Sequence, residues 1–110
     1  MAIPTVRRFT VSGTSSESGL QSLHDSVTGY ASLQLVGTLS LTMQCQVTFD
    51  GGTTWTAVQC VNMNDGTSSL SCATEGVWFR ADVGGAPAYR WKCSAYTSGT
   101  PVAHYTERMG

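Results

Sequence analysis

The sequence predicts an all-β protein: an antiparallel β-sandwich, jelly-roll-like, preceded by an extended N-terminal arm. Three observations carry this prediction. Apolar and polar residues alternate at period two in several short segments. Gly, Pro, Asn, Asp and Ser punctuate the chain at intervals of roughly 8–12 residues, the spacing of strands and turns in sandwiches and barrels. No segment shows a convincing helical pattern. The 110 residues suit one domain with one core, since folding at this size hides roughly two-thirds of the surface an unfolded chain exposes.

Taken in chain order, residues 1–28 read as the arm and residues 29–110 as the sandwich. Within the arm, residues 3–11 have strand character, whereas residues 13–19 form a Ser/Gly/Thr tract with little to bury. Ile3, Val6, Phe9, Val11, Leu20 and Leu23 are too few and too spread to make a core, yet more apolar than a free linker needs. The arm is therefore expected to be ordered by a partner or by a neighbouring copy, docking outside its own sandwich. Deleting residues 1–19 should then leave a folded domain.

The clearest strand is Leu41-Thr42-Met43-Gln44-Cys45-Gln46-Val47-Thr48-Phe49, where apolar residues take every second place and the rest are Thr or Gln. Such alternation specifies one dry face and one wet face. Asp50-Gly51-Gly52 tolerates positive φ and should reverse the chain into a partner strand over residues 53–63. Further strands are expected at 30–36, 77–83, 88–96 and 101–107, each bounded by turn-forming residues. Parity then places Met43, Cys45, Val47, Phe49, Trp55, Trp91 and Cys93 in one core, and Phe49→Ala should cost about 3–5 kcal/mol. In residues 77–83, Trp78 alternates with Arg80 and Asp82 on the more polar face, which marks it as an exposed aromatic. An exposed Trp most often belongs to a protein interface.

The composition narrows the function. Charged residues make up 12% of the chain and the net charge is -1, so the surface offers little that would draw in a phosphate backbone, and nucleic acid is not an expected partner. No stretch approaches the roughly 18 apolar residues of a membrane helix, and the N-terminus lacks a signal-peptide pattern, so no membrane association is expected. Cys45, Cys60, Cys72 and Cys93 permit three pairings if oxidised but lack the close spacing of a zinc knuckle; buried free thiols are the expectation for a protein made in the reducing cytosol. His24, beside Asp25, and His104 are the sole histidines, and no Gly-x-Ser-x-Gly elbow is present. No catalytic, cofactor-binding or metal-ligating residue is assigned, and the protein is expected not to be an enzyme. Asp50-Gly51-Gly52 has the look of a calcium-loop fragment but lacks further anionic ligands in register, so a plain turn is favoured.

Three segments together carry a resemblance. The run Val47-Thr48-Phe49-Asp50-Gly51-Gly52-Thr53-Thr54-Trp55-Thr56-Ala57-Val58 resembles a hairpin of small β-sandwich virion proteins of tailed bacteriophages. The run Gly76-Val77-Trp78-Phe79-Arg80-Ala81-Asp82-Val83-Gly84-Gly85 resembles a later strand of those proteins. Their ending is similar to Tyr89-Arg90-Trp91-Lys92-Cys93-Ser94-Ala95-Tyr96-Thr97-Ser98-Gly99-Thr100. The resemblance covers about residues 30–108, and the four cysteines depart from the usual pattern. It implies a sandwich and a place in the virion, as a head-decoration (cement), head-fibre or tail component.

The expected function is accordingly that of a non-enzymatic structural protein on the capsid surface. Its expected partners are the major capsid protein or other virion proteins, together with copies of itself as a dimer or trimer. The candidate interface residues are Arg7, Arg8, Phe9, Val11, Leu20 and Leu23 in the arm, and Trp78 in the sandwich. The alternatives are a carbohydrate-binding tail-fibre or baseplate module and a tail or neck adaptor.

Overall fold

Where apolar residues recur at every second position, the chain can bury one face of a strand and leave the other in water, and the observed strands follow that rule. The structure is a computed structural model that describes residues 6–22 and 29–109. Among these residues the chain forms ten strands and no helix. They are β1 (Arg7–Thr10), β2 (Gln21–Ser22), β3 (Gly29–Val36), β4 (Leu39–Thr48), β5 (Thr56–Val58), β6 (Cys60–Asn62), β7 (Ser68–Ser69), β8 (Trp78–Asp82), β9 (Ala88–Gly99) and β10 (Val102–Met109). A six-stranded sheet has the order β1-β10-β3-β8-β6-β7 and a four-stranded sheet the order β2-β9-β4-β5. All pairings are antiparallel.

The core lies between the sheets. Ala31, Leu33 and Leu35 of β3, Phe79 and Ala81 of β8, and Ala103 and Tyr105 of β10 face Leu41, Met43, Cys45 and Val47 of β4 and Tyr89, Trp91 and Cys93 of β9. Five of the seven expected core residues are therefore buried. Phe49 is not: it is 72% exposed. The strand ends at Thr48, whose side chain is buried and whose hydroxyl accepts the Gly52 amide (3.0 Å). That capping bends the chain one residue before the alternation would have placed Phe49 inside. Trp55 is also outside the core. Register pairs Val47 with Thr56, which gives Trp55 outward parity; its ring packs on the Arg90 guanidinium, 4.0 Å from the ring centroid.

The Asp50-Gly51-Gly52 turn forms as expected, with φ of 81° at Gly51 and 106° at Gly52, values that only glycine adopts without strain. Asp50 Oδ1 accepts the amides of Thr54 (2.9 Å) and Thr53 (3.0 Å) and the Thr48 hydroxyl (2.9 Å). These bonds, the Thr54 amide first, favour the charged carboxylate and lower its pKa from 3.8 to about 2. Because the folded value is depressed, the stabilisation is complete above the unfolded value and is lost as pH falls through about 2. An NMR titration of the Asp50 carboxyl carbon should show its midpoint near 2; a midpoint in the ordinary carboxylate range would remove this account of the turn.

Residues 53–63, expected as one strand, are two. β5 pairs with β4 in one sheet and β6 with β8 in the other, so the chain changes sheets at Gln59, which is exposed. Val58 and Cys60 keep the same parity and meet the core from opposite sides. A corner of this kind is how sandwich strands switch layers.

The arm is the largest departure. Its described part, residues 6–22, joins the sandwich rather than docking elsewhere. β1 adds to the edge of β10, pairing Arg7 with Tyr105 and Phe9 with Ala103. Beyond it, the Val11 amide donates to Pro101 O (2.9 Å) and the Val11 side chain is fully buried. The chain then crosses to the other sheet, where Ser18 N donates to Trp91 O (2.9 Å) and Cys93 N to Ser16 O (3.1 Å), and β2 pairs with β9. Without this segment β9 and β10 would be long open edges with unpaired backbone groups, which folded proteins avoid. Ile3, Leu23, His24 and Asp25 lie outside the described residues.

Candidate functional site

Register brings together on the outer face of the six-stranded sheet a set of residues that are distant in sequence. Arg8 of β1 lies opposite His104 of β10, which lies opposite Gln34 of β3, which lies opposite Trp78 of β8. A second row runs Thr106, Ser32, Arg80, and a third Arg108, Tyr30, Asp82. Four of the positions that point away from the core are large and apolar: Val6 (58% exposed), Tyr30 (40%), Val36 (45%) and Trp78 (46%). Val6 and Trp78 line an open groove of about 460 Å³ on this face, together with Ser32, Gln34, His104 and Thr106 among others.

The polar atoms of this groove are largely committed. Trp78 Nε1 donates to Ser32 Oγ (3.1 Å), fixing the half-exposed indole across two strands. Gln34 Nε2 donates to Gly76 O (3.0 Å). The Arg80 guanidinium stacks on the Tyr30 ring, 4.2 Å from its centroid. What remains on offer is apolar and aromatic surface edged by cations, the composition of interface hot spots. His104 faces Arg8 and Gln34 across its neighbouring strands, not a carboxylate, so the strands do not supply it with the acid that orients a catalytic imidazole. Among the described residues no three His, Cys, Asp or Glu side chains cluster as metal ligands.

The expected interface residues fall in different places. Trp78 is exposed and central to the face. Arg8 is exposed at its β1 margin. Arg7 is turned inward and engaged: its guanidinium bonds the Glu107 carboxylate and Gln21 Oε1, and Tyr89 donates to the same carboxylate at 2.5 Å. This network ties β1 and β10 to β2 and β9, so Arg7 holds the two sheets together instead of offering a foothold to a partner. Val11 is core and Phe9 packs edge-to-face on Tyr105, ring centroids 5.8 Å apart. Leu20 is 42% exposed, away from the groove, and Leu23 lies outside the described residues. Tyr30, Val36 and Arg80 were not singled out by sequence. A signal for two of them existed: in residues 30–36 the wet-face positions are Tyr30, Ser32, Gln34 and Val36, and two of the four are large and apolar.

The four cysteines are buried and free. Cys60 Sγ donates to Val58 O (3.7 Å), with Cys45 and Cys72 as neighbouring thiols. Burial, and then the neighbouring Cys60, push the Cys45 thiol far above its ordinary value, and a thiol held protonated is a poor nucleophile. Alkylation without reductant should add four labels in denaturant and almost none to the folded protein; finding no free thiols in denaturant would show that the core is stapled.

No family model matches the chain, and no curated protein matches it in sequence. Two solved structures share the fold. One is the SPBc2 prophage-derived protein YomS, with TM-score 0.69 and 15% identity over 98% of this chain and 97% of that one. The other is the PBSX exported protein XepA, with TM-score 0.68 and 12% identity over 98% of this chain, which spans 39% of the XepA chain. At such identities the likeness is one of fold.

Proposed function

We propose that this chain is a non-enzymatic structural protein of a tailed phage, attached to the outer capsid surface as a decoration or cement protein through the outer face of its six-stranded sheet. The observation that carries the reading is the exposed, hydrogen-bond-anchored Trp78 on a four-strand face that also presents Val6, Tyr30 and Val36. Trp78 and Val6 line one groove on this face, and an anchored, exposed Trp at a groove is the kind of side chain that protein interfaces bury. Two further supports are the fold shared with a prophage-derived and a PBSX protein and the low charge, which suits close packing of many copies. The partner is then the major capsid protein or another virion protein, and repeated copies on the shell add avidity.

Localisation tests this directly. Antibody label against the chain should decorate the heads of intact particles; label on the tail moves the protein to the adaptor reading, and recovery free of particles overturns the virion assignment. Trp78→Ser should weaken particle binding about 30-fold, the effect of losing a hot spot worth about 2 kcal/mol, with little change in thermal stability. A second reading, carbohydrate recognition, is favoured by one observation: Thr106 Oγ1 is buried beside the groove without a hydrogen-bond partner among the described residues. Trp78-dependent binding on a glycan array, with no particle binding, would put that reading in first place.

A further inference from the structure

We infer that the surface received by this face is that of a protein with exposed carboxylates, a deepening that rests on the reading of the face as an attachment surface. Charge is unevenly divided over the molecule. Among the described residues, strand register places Arg8, Arg80 and Arg108 on the outer face of the six-stranded sheet and one carboxylate, Asp82, with them. Three arginines thus stand against one aspartate at the described positions of this face, whereas in the whole chain acidic residues outnumber basic ones by seven to six. That carboxylate is itself engaged, accepting the Gly84 amide at 3.0 Å.

The arrangement of these charges says what kind of anion fits. Arg8 lies on β1 and Arg80 on β8, with β10 and β3 between them, so the cations stand on either side of the groove instead of forming a track along it. Strands are spaced about 4.8 Å apart, which puts roughly 14 Å between the two strands that bear them. A nucleic-acid backbone binds through a continuous stripe of charge, and none is present, whereas carboxylates on flexible side chains can reach cations that stand apart. A protein surface that carries carboxylates beside apolar side chains would meet Val6 and Arg8 on the β1 side of the groove and Trp78 and Arg80 on the β8 side, an apolar contact and a cation on each. Arginine forks pair well with such carboxylates. Exposed charges of this kind act mainly on the rate of association, whereas a buried aromatic acts on dissociation.

Binding kinetics on intact particles read both components. Between about 20 and 300 mM salt the association rate should fall about tenfold or more. The double variant Arg8→Glu/Arg80→Glu should lower the association rate by a similar factor at low salt, and Asp82→Asn should raise it. Particle binding that ignores both salt and these variants overturns the acidic partner while leaving attachment intact. A second measurement stands apart from the particle: passage of the full chain over immobilised poly-L-glutamate, single-stranded DNA and anionic phospholipid vesicles. Salt-sensitive retention on polyglutamate that is lost in the double variant supports the inference, and with no particle binding it would sink the capsid reading alone. No retention on polyglutamate, or stronger retention on DNA or vesicles, overturns it.

Discussion

Replacing Trp91 by Ala lowers the unfolding free energy by about 3–5 kcal/mol, and replacing Phe49 by Ala changes it by less than about 0.5 kcal/mol. The two aromatics stood together in the expected core; burial separates them. Trp91 is fully buried, in the middle of the four-stranded sheet opposite Cys45 on β4. Its indole nitrogen has no hydrogen-bond partner among the described residues, so the ring contributes by packing, and its removal leaves a void that a close-packed interior refills poorly. Phe49 stands in the turn after β4 with 72% of its surface in solvent. At 4–8 °C per kcal/mol for domains near this size, the Trp91 variant melts at least about 12 °C lower. Thermal denaturation of the two variants beside the parent protein checks the pair, and a Phe49 variant that loses as much as the Trp91 variant would return Phe49 to the core.

Deleting residues 1–11 costs the domain much of its stability, the reverse of what an independent arm would do. The deletion removes fully buried Val11, half-buried Phe9 against Tyr105, the β1–β10 ladder and the Arg7 links to Glu107 and Gln21. Full burial of a Val or Phe is worth about 1.5–3 kcal/mol and half-burial of Phe9 about half of that, before the newly opened edge of β10 is counted. A loss of roughly 4 kcal/mol is a large part of the 5–15 kcal/mol that such domains possess. The expected result is a truncated chain with a strongly lowered urea midpoint and a tendency to associate through β10. A truncated domain that melts with the parent would mean that the segment is a detachable arm after all. Particle binding by the truncated chain is then uninformative without Trp78→Ser as the folded control.

How far the sequence reaches can be judged strand by strand. Alternation in residues 41–47 and 89–93 identified β4 and β9 and the face each buries, because period-two patterning and the pleat are the same geometry. The same reasoning put Trp78 outside, where it is found. The turn at Asp50-Gly51-Gly52 was legible because backbone of positive φ and an Asx side chain leave their own residue signature. Phe49 and Trp55 were misplaced where parity was carried past the end of a strand, and Thr48, a polar residue buried to cap the turn, gives no sign of that in composition.

By itself, then, the sequence determined the all-β class, the inward and outward sets of the central strands, the first hairpin and the lone exposed Trp. Tertiary structure alone decided the strand order, the change of sheet at Gln59, the capture of residues 6–22 by β10 and β9, and the gathering of Val6, Tyr30, Val36, Trp78 and the arginines on one face. The division has one physical cause. Which way a side chain points is set by its immediate neighbours, whereas the choice of strand partner is made by backbone amides and carbonyls that are alike at every residue, so it emerges only when the whole core is assembled.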